Sequence, residues 1–161
     1  MSAVISNNED VARILSNQWI SNGEILHMAF TLRDKETYIS VNRPAIPSYD
    51  SDVKGFVTSH PDFYADQRHD KYLRAMLNVG EIRAMRIDYA GITLNVNVEV
   101  EPRDIFTKSH AGIFTRHQNK NIKNGDTLYI KSLDTDVSAD EILLEVRSNL
   151  VDISTLESCN L

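Results

Sequence analysis

The clearest pattern in the chain is an alternation of apolar and polar residues that follows Gly91. Apolar residues at positions 92, 94, 96, 98 and 100 alternate with polar ones, and Pro102 then interrupts the run because it cannot donate a ladder hydrogen bond. Such alternation is typical of a strand with one buried and one wet face. Other stretches rich in apolar and β-branched residues predict strands at 24–33, 109–115 and 127–131. Residues 71–77 also fit a helical period, but a strand is favoured there because Asn78–Glu81 looks like the start of a new helix.

The stretch Tyr38–Pro44 predicts a strand that closes a β-hairpin begun at 24–33. Its aliphatic residues share one face of the strand, and Ser40 lies on the other face. By the same period, Arg43 falls on the aliphatic side. Because Pro44 favours an early end, either the strand ends at Arg43 or a guanidinium reaches the margin of the core.

Capping boxes predict helices near both ends of the chain. Ser6-Asn7-Asn8-Glu9 matches such a box, and the apolar residues after it follow helical spacing, which predicts a helix over 8–18. A second box, Ser138-Ala139-Asp140-Glu141, precedes a helix predicted over 139–150. Shorter helices are predicted at 53–58 and 79–86.

Together these elements predict an α+β protein. We expect a mainly antiparallel sheet of about five or six strands, with the helices at 8–18 and 139–150 packed on one face. A length of 161 residues suits a single domain, over 1–153, and residues 154–161 are expected to form a loose tail. The polar and aromatic segment 59–70 has no clear period, which predicts an excursion over the sheet or the lid of a site.

Composition favours a protein of the cytoplasm. Hydrophobic residues make up 42% of the chain and charged residues 25%, as in ordinary globular proteins. No apolar run approaches the ~18 residues of a membrane span, and the N-terminus lacks the basic region and apolar core of a signal peptide. Cys159 is the single cysteine, so an internal disulfide is impossible. We therefore expect a cytoplasmic protein with no membrane partner.

Charge is unevenly distributed along the chain. The net charge is −6, yet the segment 103–123 holds Arg103, Lys108 and three further basic residues against Asp104 alone. A basic segment in an acidic protein can attract a phosphate backbone. The segment is more often a loop whose charges pair with acidic neighbours, so nucleic acid is the less favoured partner. The nucleic-acid-binding candidates are Arg116, Lys120 and Lys123.

Common catalytic and cofactor signatures are absent from the sequence. There is no glycine-rich nucleotide loop, nucleophile elbow, His-Glu-x-x-His motif or cysteine pair, so no cofactor is expected. His60, Asp62 and Asp66 could bind a divalent metal through mixed nitrogen and oxygen ligands, but their spacing matches no recognised site and solvated loop charges are the favoured interpretation. No metal is therefore expected.

Two residues are candidates for ligand chemistry. His110 lies beside Ala111 and Gly112, which permit close approach of a ligand, and its imidazole suits a general base or a phosphate contact. The alternative is a half-buried histidine bonded to a backbone carbonyl. Arg43, at the end of a strand, suits a fork for a carboxylate or phosphate. Its alternative is a structural ion pair or a solvated rim.

Islands of the chain between residues 12 and 115 resemble a loose set of small bacterial proteins without an assigned activity. They share a Gly-x-Ile…Ala-Phe…Ser-Val-x-Arg pattern followed by a Ser-His-Ala motif. The resemblance implies no catalytic role, and it adds weight to Ser40, Arg43 and His110. The islands are Trp19–Phe30, Tyr38–Arg43, Val79–Glu81 and Ser109–Ile113.

Three functions remain open from the sequence. The first is a bacterial, non-enzymatic binding or protein-interaction module, with a protein partner or a second copy of the chain. The second is a small enzyme that acts on a nucleotide or phosphate-bearing substrate through Arg43 and His110, with His110 as the candidate catalytic residue. This hypothesis requires the two side chains to converge on one substrate. The third is binding of a nucleic-acid backbone through the basic loop 116–123.

Overall fold

The computed structural model describes residues 4–103 and 107–161. Its α-helices are α1 (Tyr49–Ser59), α2 (Pro61–Tyr64), α3 (Val79–Arg83) and α4 (Ala139–Ile153), and 3-10 helices cover Asn17–Trp19 and His27–Phe30. Its strands are β1 (Asp10–Leu15), β2 (Ile20–Ser21), β3 (Glu24–Ile25), β4 (Tyr38–Asn42), β5 (Lys71–Asn78), β6 (Asp88–Tyr89), β7 (Ile92–Thr93), β8 (Val96–Pro102), β9 (His110–His117), β10 (Lys120–Asn121), β11 (Thr127–Ile130), β12 (Thr135–Ser138) and β13 (Thr155–Asn160).

Within these residues, seven strands form one antiparallel sheet. Its order is β10-β9-β4-β1-β5-β13, and β8 pairs with β9. The pairs β2–β3, β6–β7 and β11–β12 form separate two-stranded sheets. The predicted α+β fold with a mainly antiparallel sheet is confirmed.

Helices cover both faces of this sheet, and β1 shows why. Val11 and Leu15 of β1 belong to the large core cluster, which includes Ile142 of α4. Ala12 and Ile14, on the opposite face of the strand, pack in a second cluster that holds the buried residues of α1, and Tyr64 of α2 packs against it. The sheet is therefore a middle layer, with α3 and α4 on one side and α1 and α2 on the other.

The helix predicted over 8–18 is wrong, because its central part is strand β1. Val11, Ala12, Ile14 and Leu15 are all buried, since both faces of this strand are covered. A strand buried on both faces loses its alternation, and the resulting apolar run imitates helical spacing. The expected capping box is also absent, since Glu9 accepts hydrogen bonds from Arg43.

The hairpin predicted between 24–33 and Tyr38–Arg43 is also wrong. The first arm consists of the short strand β3 and the 3-10 helix His27–Phe30, which buries Ala29 and Phe30. The second arm is β4 as predicted, and it ends at Asn42. It pairs with β1 and β9 rather than with 24–33.

Most of the remaining elements follow the predicted positions. Strands β5, β9 and β11, helix α1 and helix α4 are confirmed, with ends that differ by a few residues, and the helix predicted over 79–86 is the shorter α3. The Ser138 hydroxyl accepts the amide of Asp140 at the start of α4. The strand predicted after Gly91 is divided into β7 and β8, which pair with different strands.

The C-terminal residues are not a loose tail. Strand β13 pairs along its whole length with β5, from Thr155 opposite Met76 to Asn160 opposite Lys71. Leu156 packs against the large core cluster, which explains why the chain is ordered beyond α4. No helix in residues 4–103 and 107–161 is long and apolar enough to cross a membrane.

Candidate binding cleft

A cleft of about 720 Å³ lies on the α1 face of the sheet. Ligand sites of proteins commonly have volumes of about 300–1,000 Å³. It is lined by side chains from strands β1, β4 and β9 and from helices α1 and α2. Trp19 of the first 3-10 helix and the segment between the second 3-10 helix and β4 also contribute. The segment 59–70, predicted to cross the sheet or to form a lid, contributes His60, Phe63 and Tyr64 to this lining.

Strand β4 presents the polar row of the cleft. Its alternation directs Tyr38, Ser40 and Asn42 to the α1 face, and all three line the cleft. In the antiparallel ladder Asn42 lies opposite His110, and opposite residues share a face of the sheet. The register thus brings together Ser40 and His110, two of the residues that the sequence singled out.

Gly112 makes room for the ring of Tyr38. A Cβ atom at Gly112 would lie 2.7 Å from Cδ2 of Tyr38, well inside van der Waals contact. The same ring packs on Phe114, with centroids 5.2 Å apart, and the guanidinium of Arg103 lies 4.9 Å from its centroid. Gly112 therefore accommodates the ring of Tyr38 and does not itself leave space for a ligand.

His110 combines a structural bond with a place in the cleft. Its Nδ1 lies 2.8 Å from the carbonyl oxygen of Arg103, and because a carbonyl only accepts, Nδ1 carries the proton. Burial lowers the pKa of His110, and the positive charge of Arg103 adds to this effect, although the bond to the carbonyl acts to raise the pKa. The imidazole is therefore neutral near pH 7.

Arg13 is the most unusual residue of the cleft. Strands β1 and β4 pair only at Ala12 and Asn42, and beyond that point the Arg13 guanidinium bridges them. Its Nη1 donates to the carbonyl of Ser40 at 2.8 Å, and its Nε donates to the carbonyl of Ala29 at 3.0 Å. Its side chain also lines the cleft.

The Arg13 guanidinium forms no ion pair in the described part of the chain, although the Glu36 carboxylate acts on its charge without an ion-pair contact and favours the protonated form. None of the ion pairs formed there includes this residue. Burial lowers the pKa of Arg13 to about 10, so the guanidinium remains charged near neutral pH. The Arg13 guanidinium lies 4.9 Å from the ring centroid of Trp19, which is a cation–π contact.

Aromatic side chains of three segments form one wall of the cleft, which we call the aromatic wall: Trp19, Phe56, His60 and Tyr64. The rings of Phe56 and Tyr64 lie 4.6 Å apart, and those of Trp19 and Tyr64 lie 6.5 Å apart. Phe56 is 44% exposed and the neighbouring Phe63 is 52% exposed. Large apolar surface therefore faces water at the cleft.

Asp52 anchors α1 to the start of β9. Its Oδ2 accepts hydrogen bonds from the hydroxyls of Ser48 at 2.8 Å and Ser109 at 2.7 Å, and from the amide of Ser109 at 3.1 Å. Burial acts to raise the pKa of Asp52, but these bonds and one from Thr107 outweigh it and lower the pKa. The carboxylate is therefore charged and belongs to the cleft lining.

Arg43 lies outside the cleft lining and is held by Glu9. Its Nε and Nη2 donate to the two carboxylate oxygens at 2.6 Å and 3.0 Å, and both side chains are almost fully buried. The backbone amide of Arg43 donates to the carbonyl of Ser109, the residue before His110. Arg43 is therefore close to His110 through the backbone and not through its side chain. The structure does not bring the Arg43 and His110 side chains to one site.

The basic loop is also largely committed to protein contacts. Arg116 donates to both carboxylate oxygens of Glu101, at 2.6 Å and 2.9 Å, and Lys123 lies 4.0 Å from Asp126. Lys120 is exposed. Arg116 and Lys120 lie in the hairpin that joins β9 to β10, and Lys123 follows it.

His60, Asp62 and Asp66 do not form a metal site in the part of the chain that the structure describes. Across residues 4–103 and 107–161, no group of three or more His, Cys, Asp or Glu side chains is arranged to hold a metal ion. Asp66 instead accepts the backbone amides of Asp70 and Lys71 and so holds the turn before β5. His60 belongs to the aromatic wall.

Sequence reasoning missed Arg13 and the aromatic wall. The signal for Arg13 was a single charged residue inside the apolar run 11–15. Phe56, His60 and Tyr64 of the aromatic wall follow one another at intervals of four residues, whereas Trp19 is distant in the chain and only the fold brings it to them.

No protein-family model matches the chain, and neither the curated proteins nor the solved structures include a match. The resemblance to a set of small bacterial proteins therefore stays a prediction, and the function has to be argued from the cleft.

Proposed function

We propose that the protein is a non-enzymatic binding protein whose cleft takes up a small anionic molecule. The observation that carries the proposal is the Arg13 guanidinium, which lines the cleft and forms no ion pair with a carboxylate among the described residues. A cation removed from water is costly unless an opposite charge or good hydrogen bonds accompany it. A bound carboxylate or phosphate would supply both.

The hydrogen bonds of Arg13 orient it for this role. Arginine has five N–H donors in a rigid fork, and the two carbonyl contacts of Arg13 use Nε and Nη1. The remaining donors suit an anion, and charge-assisted bonds of this type are stronger than neutral ones. Because the backbone carbonyls of Ala29 and Ser40 fix the fork, binding costs little further side-chain entropy.

Two observations support binding over the alternatives from the sequence. A catalytic role for Arg43 and His110 needs both at one substrate, and Arg43 is held by Glu9 away from the cleft. Binding of a nucleic-acid backbone through the 116–123 loop needs available cations, and Arg116 is paired with Glu101. We also propose a bacterial, cytoplasmic setting, supported by the resemblance and by the single cysteine.

Fluorescence of Trp19 tests this proposal, because it is the only tryptophan of the chain and contacts Arg13. Anions and matched neutral compounds are titrated: benzoate against benzamide, adenosine monophosphate against adenosine, and inorganic phosphate alone. We expect at least one anion to change the emission saturably while its neutral partner does not. Arg13→Gln should weaken that binding at least about tenfold, the usual effect of losing a charge-assisted bond.

Arg116→Gln is the matched control, because Arg116 also stacks on an aromatic ring, 5.0 Å from the centroid of Phe114, but lies outside the cleft lining. It should leave anion binding unchanged. Circular dichroism establishes that both variants are folded. Equal binding of neutral and anionic partners, or unchanged binding in folded Arg13→Gln, would overturn the proposal.

A further inference from the structure

The cleft carries groups for more than an anion, and we propose that its ligand is a nucleoside monophosphate. The base would stack on the aromatic wall, the ribose would lie against the carboxylates, and the phosphate would bind Arg13. This inference rests on the proposed function and specifies its ligand class.

The aromatic wall is suited to a planar ring. Nucleobases stack on aromatic side chains whatever their sequence identity, since every base has a π-face. Phe56 packs on Tyr64 at 4.6 Å yet keeps 44% of its surface in water. A ring laid against this pair would cover that apolar surface, which inorganic phosphate or a small aliphatic acid would leave exposed.

The volume of the cleft also favours a nucleotide over a smaller anion. Inorganic phosphate would occupy a small part of a cleft of about 720 Å³. A nucleotide has a ring, a sugar and a charged group in line, and a cleft that holds such a molecule needs apolar, hydroxyl-binding and cationic parts. All three kinds of side chain line this cleft.

The hydroxyl-binding part consists of acidic and amide side chains. Asp52 and Glu36 both line the cleft, and carboxylates commonly accept hydrogen bonds from ribose hydroxyls. Asn42 donates through Nδ2 to Ser109, at 3.0 Å, so its amide oxygen is oriented as an acceptor for an N–H of the ligand. A purely anionic ligand without hydroxyl groups would meet repulsion from these carboxylates.

The cationic part contains a second arginine. Arg33 lines the cleft together with Arg13. A phosphate monoester carries a charge of about −1.5 to −2 near pH 7, which two guanidinium groups match better than one.

Isothermal titration calorimetry of the full chain tests the inference. The ligands are the four common ribonucleoside monophosphates, ribose 5-phosphate, inorganic phosphate, benzoate and a short oligonucleotide. We expect at least one monophosphate to bind about tenfold or more tightly than ribose 5-phosphate, as loss of one base stack would cause. Phe56→Leu should remove most of this difference and leave the ribose 5-phosphate affinity unchanged.

Tyr129→Leu is the control, since Tyr129 is also an exposed aromatic residue, at 50%, but lies on β11 outside the cleft lining. It should not change the affinity. Both substituted side chains are at the surface, so folding should be retained.

The outcomes separate this inference from the proposed function. If ribose 5-phosphate, inorganic phosphate or benzoate binds as well as every monophosphate, and Arg13→Gln abolishes that binding, the nucleotide assignment is overturned while anion binding stands. Tighter binding of the oligonucleotide would overturn the single-nucleotide assignment in favour of a polymer. If monophosphates bind equally well to wild type and to folded Arg13→Gln, both proposals are overturned.

Discussion

Arg13 of β1 donates a hydrogen bond to the carbonyl of Ser40 on β4, at 2.8 Å, where the two strands are no longer paired by their backbones. A side chain thus takes over the role of the ladder between two central strands. The same guanidinium lines the cleft. The Arg13 guanidinium therefore both connects β1 to β4 and, as we propose, binds the ligand.

Replacing Arg13 should lower stability as well as binding. Arg13→Met keeps much of the apolar stem but leaves the carbonyls of Ser40 and Ala29 without their donors. We expect a loss of about 1–3 kcal/mol in the free energy of unfolding, the usual cost of unsatisfied polar groups. Urea denaturation measures it. Arg116→Met, which breaks a partly exposed ion pair, should cost less than about 1 kcal/mol. Equal losses in the two variants would contradict the bridging role.

Gly112→Ala should disturb the cleft through Tyr38. The new Cβ would lie 2.7 Å from the Tyr38 ring and 3.0 Å from the Phe114 ring, so both rings must shift. We expect a loss of about 1–3 kcal/mol in stability, typical of overpacking, together with weaker ligand binding. Thermal unfolding and a binding titration provide the two readouts.

Gly55 offers the opposite case for comparison. It lies within α1, and a Cβ there would meet no atom within 4 Å. Gly55→Ala should therefore stabilise the protein by about 0.5–1 kcal/mol through helix propensity. If Gly112→Ala behaved like Gly55→Ala, the packing of Tyr38 on Gly112 would not be as described.

The ion pair between Glu9 and Arg43 should matter for stability and not for the ligand. Glu9→Gln leaves the Arg43 guanidinium, whose side chain is 8% exposed, without its charge partner. We expect a loss of about 3 kcal/mol in the free energy of unfolding. Glu101→Gln, which removes a carboxylate that is 43% exposed from its pair with Arg116, should cost less than about 1 kcal/mol. A loss of ligand affinity in folded Glu9→Gln would show that Arg43 belongs to the binding site after all.

Elements with a local pattern were predictable from the sequence, and elements defined by distant partners were not. Strand β4 and helix α4 each show their period within a few residues, so their positions followed from the pattern alone. Strand β1 is buried on both faces, and its period was therefore ambiguous. The hairpin prediction failed because strand pairing is non-local and the pattern does not say which strands meet.

The residues of the candidate site also fall into those that a local pattern identifies and those that depend on distant partners. Ser40 and His110 were found because each lies in a readable strand, and the ladder of β4 and β9 brings them together. Arg43 has the same residue type as Arg13 and a more conspicuous position before a proline, yet a buried carboxylate holds it. Which arginine lines a cleft depends on partners that are 34 residues away for Arg43 and 27 for Arg13.

His110 should make stability depend on pH. Burial and the Arg103 charge lower the pKa of His110 below its ordinary value of 6.5, so the folded protein binds fewer protons there than the unfolded chain. This contribution to stability is present above pH 6.5 and is lost as the pH falls through the lowered value. Between about pH 8 and about pH 5, wild type should therefore lose more stability than His110→Gln. His27→Gln, at an exposed position, should follow wild type, and identical pH profiles for all three proteins would contradict the assignment.

Strand β13 should be required for a stable sheet. Deletion of residues 155–161 removes the ladder to β5 and the packing of Leu156 on the core. We expect a loss of about 2–4 kcal/mol in the free energy of unfolding and faster hydrogen exchange along β5, because its amides on that edge would face water. Glu157→Gln, in which only a carboxylate that is 42% exposed is altered, keeps the strand and should cost less than about 1 kcal/mol. If the deletion left both stability and β5 exchange unchanged, these residues would be the loose tail that their polar sequence suggests, and the sheet would end at β5.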